Sequence, residues 1–178
     1  MKLILIIISN LILLSLVKIY KIKYNNIFIL SNLFLILFIN KNNVIFLILS
    51  IIFPFLFIGI IKDYFEMWIP YSVSIVITLC GIILSLYNRN FNYGPLIVLI
   101  ISLFIILLMH IIRKEFIGIG DLKLLFSFSF FITLKNLYYL LFVSSVIALI
   151  IELCKKKKEV FPFGPYLGYS FMFFVSFI

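Results

Sequence analysis

Charge is scarce in this 178-residue chain. Only 12% of its residues are Asp, Glu, Lys or Arg, against 66% that are hydrophobic, whereas a soluble domain carries about 25% charged residues. So little charge cannot clothe a globule in water, which excludes a soluble domain and makes lipid the solvent; a mean hydropathy of +1.34 agrees. Cysteine is nearly absent. Cys80 and Cys154 lie inside or at the end of apolar segments and form no C-x-x-C pair, which argues against a disulfide framework or a zinc site. The one histidine, His110, has no Cys or His neighbour and is a poor metal ligand on its own. No metal and no cofactor is expected.

What is present is a series of apolar runs divided by short polar breaks: 3–17, 27–39, 44–61, 67–87, 95–112, 122–134, 137–154 and 161–178. This pattern predicts an all-α fold, a polytopic membrane helix bundle with about eight transmembrane helices and at least six, in one integral membrane domain over residues 1–178. The second and sixth runs are the shortest, below the roughly 17–25 residues of a spanning helix. No break has room for a separate soluble domain, and no internal repeat is evident.

If all eight runs cross, the breaks alternate between two faces. Lys18, Lys21, Lys23, Lys62, Arg113, Lys114, Lys123 and Lys155 to Lys158 fall on one face, eleven of the fifteen basic residues; Lys2, Lys41, Arg89 and Lys135 fall on the other. Cytoplasmic breaks hold the excess of Lys and Arg, so the eleven-charge face is expected inside and both termini outside. Lys2 before an apolar run resembles the start of a signal peptide, but no small-x-small cleavage site follows, and the segment reads as an uncleaved first helix. A net charge of +9 scattered over short breaks suits anionic lipid headgroups rather than nucleic acid.

The acids are fewest of all: Asp63, Glu66, Glu115, Asp121, Glu152 and Glu159. Asp63 follows the third run and Asp121 opens the sixth. Two crossings separate them, so both are expected at one membrane face. Taken singly, Asp63 could be a solvated flank and Asp121 a helix N-cap. Taken together, two carboxylates can divide peptide hydrolysis between a base and an acid. Helix-end dipoles predict that Asp63, at the end of one helix, is the resting acid and Asp121, at the start of another, the resting base. Gly118 and Gly120 bracket Ile119; they offer close backbone approach and positive φ to an extended peptide.

Three segments carry a family resemblance. "GIGDLKLL" resembles the G-x-G-D-x-K-L of prepilin peptidases, the type IV leader peptidases that include the preflagellin peptidases. "DYFEMWIP" resembles their Asp followed by Ile-Pro, and "FPFGPYLGY" the Pro-Phe-Gly-Pro segment that opens their last helix. The resemblance covers about residues 50–178. It implies a membrane aspartic protease of the GxGD class, with Asp63 and Asp121 catalytic, Gly118 and Gly120 as site backbone, and Lys123, Pro70, Pro162, Gly164 and Pro165 in support. It also implies a prepilin-like protein as partner, cleaved at the cytoplasmic face of the inner membrane, usually just after a glycine. Tyr71 stands where the family often has Asn or Asp. The cytoplasmic loop with two C-x-x-C pairs, associated in larger bacterial members with methylation, is not found here. The Pro-Phe-Gly-Pro segment reads first as helix initiation, with substrate contact as the alternative. Glu66, Glu115 and Glu159 are better candidates for a basic leader than the lysine run 155–158, which reads as a topology anchor.

Two other functions compete. An intramembrane GxGD protease of the presenilin type should show Pro-Ala-Leu near its last helices, and the tripeptide does not occur. A non-enzymatic transporter or assembly subunit would prefer its carboxylates at mid-membrane. The sequence leaves the oligomeric state open.

Overall fold

The computed structural model describes residues 1–22, 27–89, 93–112, 118–154 and 161–175. They form eight helices and, among the described residues, no strand: α1 Lys2–Ile19, α2 Ile27–Leu37, α3 Asn43–Glu66, α4 Tyr71–Tyr87, α5 Gly94–Ile112, α6 Ile119–Phe128, α7 Leu134–Cys154 and α8 Gly164–Val175. The chain is a polytopic membrane helix bundle. Helices α1, α3, α5 and α7 are long and apolar enough to cross a bilayer, and α4, with 17 residues, falls just short. Helices α2, α6 and α8 have 11, 10 and 12 residues, too few to cross alone at 1.5 Å per residue.

The third helix is the centre. It is apolar on every side, as a helix enclosed by others must be, and packs against α1, α2, α4 and α8. Phe46, Phe53, Leu56 and Phe57 are fully or almost fully buried along it. Helix α8 lies against it closely because Gly164 and Gly168 face α3; a Cβ at Gly168 would come within 2.7 Å of the Ile60 side chain. This is the small-xxx-small spacing by which membrane helices approach without large side chains between them.

Helix α6 begins three residues before the apolar run expected from the sequence and ends six residues before that run does. Nothing in the sequence breaks it. What ends it is packing: Phe128 stacks on Phe171 of α8 with centroids 3.9 Å apart, and Phe131 meets the same ring edge-on at 5.6 Å. A Cβ at Gly81 of α4 would clash with Phe130 at 2.5 Å, so the turn after α6 lies directly on α4. Helix α4 begins at Tyr71, four residues later than its apolar run, because Pro70 is its N-cap and the segment before a proline is held extended.

Candidate active site

Asp63 lies in the last turn of α3 and is 7% exposed. Its Oδ2 accepts the backbone N–H of Gly164, the first residue of α8, at 2.9 Å. The N–H groups of a helix's first turn have no partner within the helix, and that end carries partial positive charge, so α8 offers Asp63 both a donor and a favourable dipole. Pro165 follows, buried, at the second position of α8, where a missing N–H costs nothing and the fixed φ suits a helix. Pro162 is half-buried in the approach. The Pro-Phe-Gly-Pro segment therefore begins a helix, as expected, and the helix it begins is aimed at a carboxylate.

The chain then reverses at Met67, which closes α3 in the left-handed conformation with φ 51° and ψ 36°, its N–H donating to the Asp63 carbonyl. The reversal carries Ile69, 4% exposed, back beneath Asp63. A Cβ on Gly164 would meet the Ile69 Cδ1 at 3.0 Å, and one on Gly120 would meet it at 3.1 Å. Ile69 thus fills the space between the start of α8 and the start of α6. The three sequence segments interlock through this one side chain.

Asp121 is the third residue of α6 and not its N-cap, which is Gly118. It is half-buried, and burial together with the nearby Asp63 charge pushes its carboxyl up to about 7. The expected division of roles rested on the dipoles of α3 and α6 alone. Burial favours the neutral acid at Asp121, and the Gly164 N–H donates to Asp63, a contribution from α8 that those dipoles do not include.

The glycines act by size. Gly118 has φ −63° and ψ 132°, and no glycine among the described residues has positive φ, so the expected left-handed freedom is not used. A Cβ on Gly118 would sit 3.0 Å from the Asp121 Oδ2. Lys123, two residues on, places its ammonium 3.5 Å from the centroid of the Tyr71 ring, a cation–π contact that joins α6 to the start of α4. Farther along α6, Ser127 Oγ lies 2.9 Å from Thr78 Oγ1 and 3.1 Å from the Ser74 carbonyl, a second tie to α4.

Of the acids expected to meet a leader, Glu66 pairs with Lys62 one turn earlier; Glu115 and Glu159 lie outside the described residues, as do Lys155 to Lys158, Arg113 and Lys114. Sequence reasoning passed over Ile69, although it stands in the quoted Ile-Pro, and Gly168, whose spacing from Gly164 was the available signal.

The model of the type IV leader peptidase family matches residues 50–153, more than half of the chain. The chain belongs to this family. The match takes in Asp63, Ile69 and Gly118 to Lys123, and membership makes the chain a protease by descent. Helix α8 lies beyond the matched residues and is tied to them by the Gly164 contact with Asp63, by Gly168 on Ile60 and by Phe171 on Phe128. No curated protein and no solved structure gives a significant match.

Proposed function

We propose that this leader peptidase family member is an aspartic endopeptidase that removes the leader from prepilin-like precursors at the cytoplasmic face of the inner membrane. One observation carries the reading: a buried carboxylate, Asp63, held by the N–H of Gly164, with a second carboxyl, Asp121, near enough to be raised to about 7 by burial and by Asp63. A pair so arranged, one ionised and one protonated near neutral pH, is suited to hydrolysing an amide. Asp63 takes a proton from water as the water oxygen attacks the scissile carbonyl carbon, and Asp121 gives its proton to the carbonyl oxygen. In the collapse of the tetrahedral intermediate the C–N bond breaks, the proton held on Asp63 passes to the departing amine, and Asp121 recovers its own from the hydroxyl. The two carboxyls return to their starting states.

The basic residues support the cytoplasmic placement, since Lys62 and Lys123 stand beside the two aspartates on the face that is charge-rich when all eight runs cross. The test is processing of a co-expressed, tagged prepilin in membranes. Asp63→Asn and Asp121→Asn should each abolish cleavage while the amount of inserted protein is unchanged. Full cleavage by either variant would refute the dyad. A cysteine introduced at Tyr64 should be labelled only by a membrane-permeant reagent, and labelling from outside would reverse the orientation.

A further inference from the structure

The backbone at Ile69 is fixed from both directions. Pro70 follows it, and the residue before a proline is confined to extended conformations. Two residues earlier, the Met67 N–H donates to the Asp63 carbonyl and fastens the reversal to the helix that carries Asp63. Toward α8, the Ile69 Cδ1 would lie 3.0 Å from a Cβ on Gly164, and the Asp63 Oδ2 crowds the same point at 2.7 Å. Toward α6, a Cβ on Gly120 would meet Cδ1 at 3.1 Å and both Cβ and Cγ1 at 3.3 Å. Gly120 is the residue before Asp121. A glycine presents main chain only, so on both sides the isoleucine rests against the backbone of a helix start, with no side chain between them to swing aside. Its own β-branched side chain is stiff at χ1, and a close-packed interior yields little.

We propose that Ile69 is a positioning residue: the thickness of its side chain sets how far the start of α6, with Asp121, stands from the start of α8 and the Asp63 carboxyl bonded to it. Given the leader-peptidase reading, on which this rests, Ile69 is what holds the hydrolytic pair at its working distance. Its place distinguishes it from the other buried apolar residues of the bundle. One methyl group, Cδ1, serves both glycines. Each glycine in turn belongs to a carboxyl: Gly164 donates its N–H to Asp63, and Gly120 precedes Asp121. A thinner or thicker spacer therefore moves one carboxyl relative to the other. The chemistry is sensitive to such a movement, because a misplacement of about 1 Å can cost about 100-fold in rate. The electrostatics are sensitive too, since the Asp63 charge is felt at Asp121 and varies with their separation.

A methyl group can be moved across this contact to test the spacing. Ile69→Val deletes Cδ1, Gly120→Ala adds a carbon that would stand 3.1 Å from it, and the double variant conserves the carbon count between the two helix starts. Cleavage of a tagged prepilin in membranes is measured as kcat and KM per folded, inserted molecule, with the melting temperature alongside. Each single variant should lower kcat by about 10-fold or more with KM within about twofold, and the double variant should recover kcat to within about threefold. Unaltered kcat in both single variants, whatever their melting temperatures, would overturn the proposal and leave the functional reading standing. A double variant no better than the poorer single one would also overturn it. Where a single variant fails to insert, the double variant decides by the same threefold limit. If the unaltered chain cleaves no prepilin, the functional reading falls, and infrared titration of the carboxyl groups decides the spacing without activity. The Asp121 band, assigned by its loss in Asp121→Asn, should then leave its position near 7 in Ile69→Val and return in the double variant; an unmoved band would overturn the proposal.

Discussion

Gly164→Ala separates a catalytic role for the start of α8 from a merely structural one. The added Cβ would stand 2.7 Å from the Asp63 Oδ2, 3.0 Å from its Cγ and 3.0 Å from the Ile69 Cδ1. Carbon and oxygen do not remain at 2.7 Å, so the carboxylate must withdraw and its bond to the Gly164 N–H, now 2.9 Å, is lost. A hydrogen bond to a charged group contributes about 1.5–3 kcal/mol, and each 1.36 kcal/mol is a factor of ten in rate, so cleavage should fall by roughly 10- to 150-fold. The same Cβ crowds the buried Ile69, so the melting temperature is measured alongside to separate a loss of fold from a loss of chemistry. The assay is prepilin processing in membranes, divided by the amount of inserted protein and repeated from pH 5 to pH 8. Without its donor the charged form of the base is disfavoured, so the acid limb of the rate profile should move to higher pH. Cleavage within two- or threefold of the unaltered protein (roughly 0.5 kcal/mol) with an unmoved acid limb would refute the reasoning.

Three further outcomes are expected. Asp121 is raised from 3.8 to about 7 in the fold, so the folded state holds its proton more firmly than the unfolded one. Stability from this group is complete below pH 4 and is lost as pH rises through 7, by at most about 4 kcal/mol. Asp121→Asn should therefore melt higher relative to the unaltered protein at pH 8 than at pH 4, and an equal difference at both would contradict the placement. Met67→Gly removes a left-handed non-glycine residue, a conformation costing about 1–2 kcal/mol; a higher melting temperature with cleavage retained is expected, and a lower one would show that the Met67 side chain contributes more than its strain. Tyr71→Phe should keep the contact with Lys123, whereas Tyr71→Ala should lose about 0.5–2 kcal/mol of it, read as reduced cleavage, with Tyr71→Asp restoring function through an ion pair. Equal activity of the Phe and Ala variants would leave the ring without a role.

The two aspartates and their neighbouring motifs could be read from the chain because carboxylates are so rare in it that each position is informative. The long helices were readable for a similar reason: an apolar run bounded by lysine or asparagine has few alternatives in lipid. The end of α6 was not, since Phe128 to Phe131 continue the apolar pattern and only the rings of α8 and the surface of Gly81 decide that the helix stops there. The hydrogen-bond setting of Asp63 was not readable either. It depends on an N–H from a residue 101 positions away, and local helix dipoles carry no information about a third helix. Gly118 and Gly120 were singled out for conformational freedom; what they supply in the fold is room for the Asp121 carboxyl and for Ile69.

That same separation of 101 positions orders events during synthesis. Asp63 leaves the ribosome well before Gly164, and at roughly 5–20 residues per second the interval is about 5–20 s. Over its last 43 residues, once Asp121 has been made, the nascent chain has both aspartates but not the donor that Gly164 gives to Asp63. The surroundings of Asp63 are completed only as α8 docks on α3, after the other helices have been made, and a chain interrupted before that point carries both carboxylates without this donor.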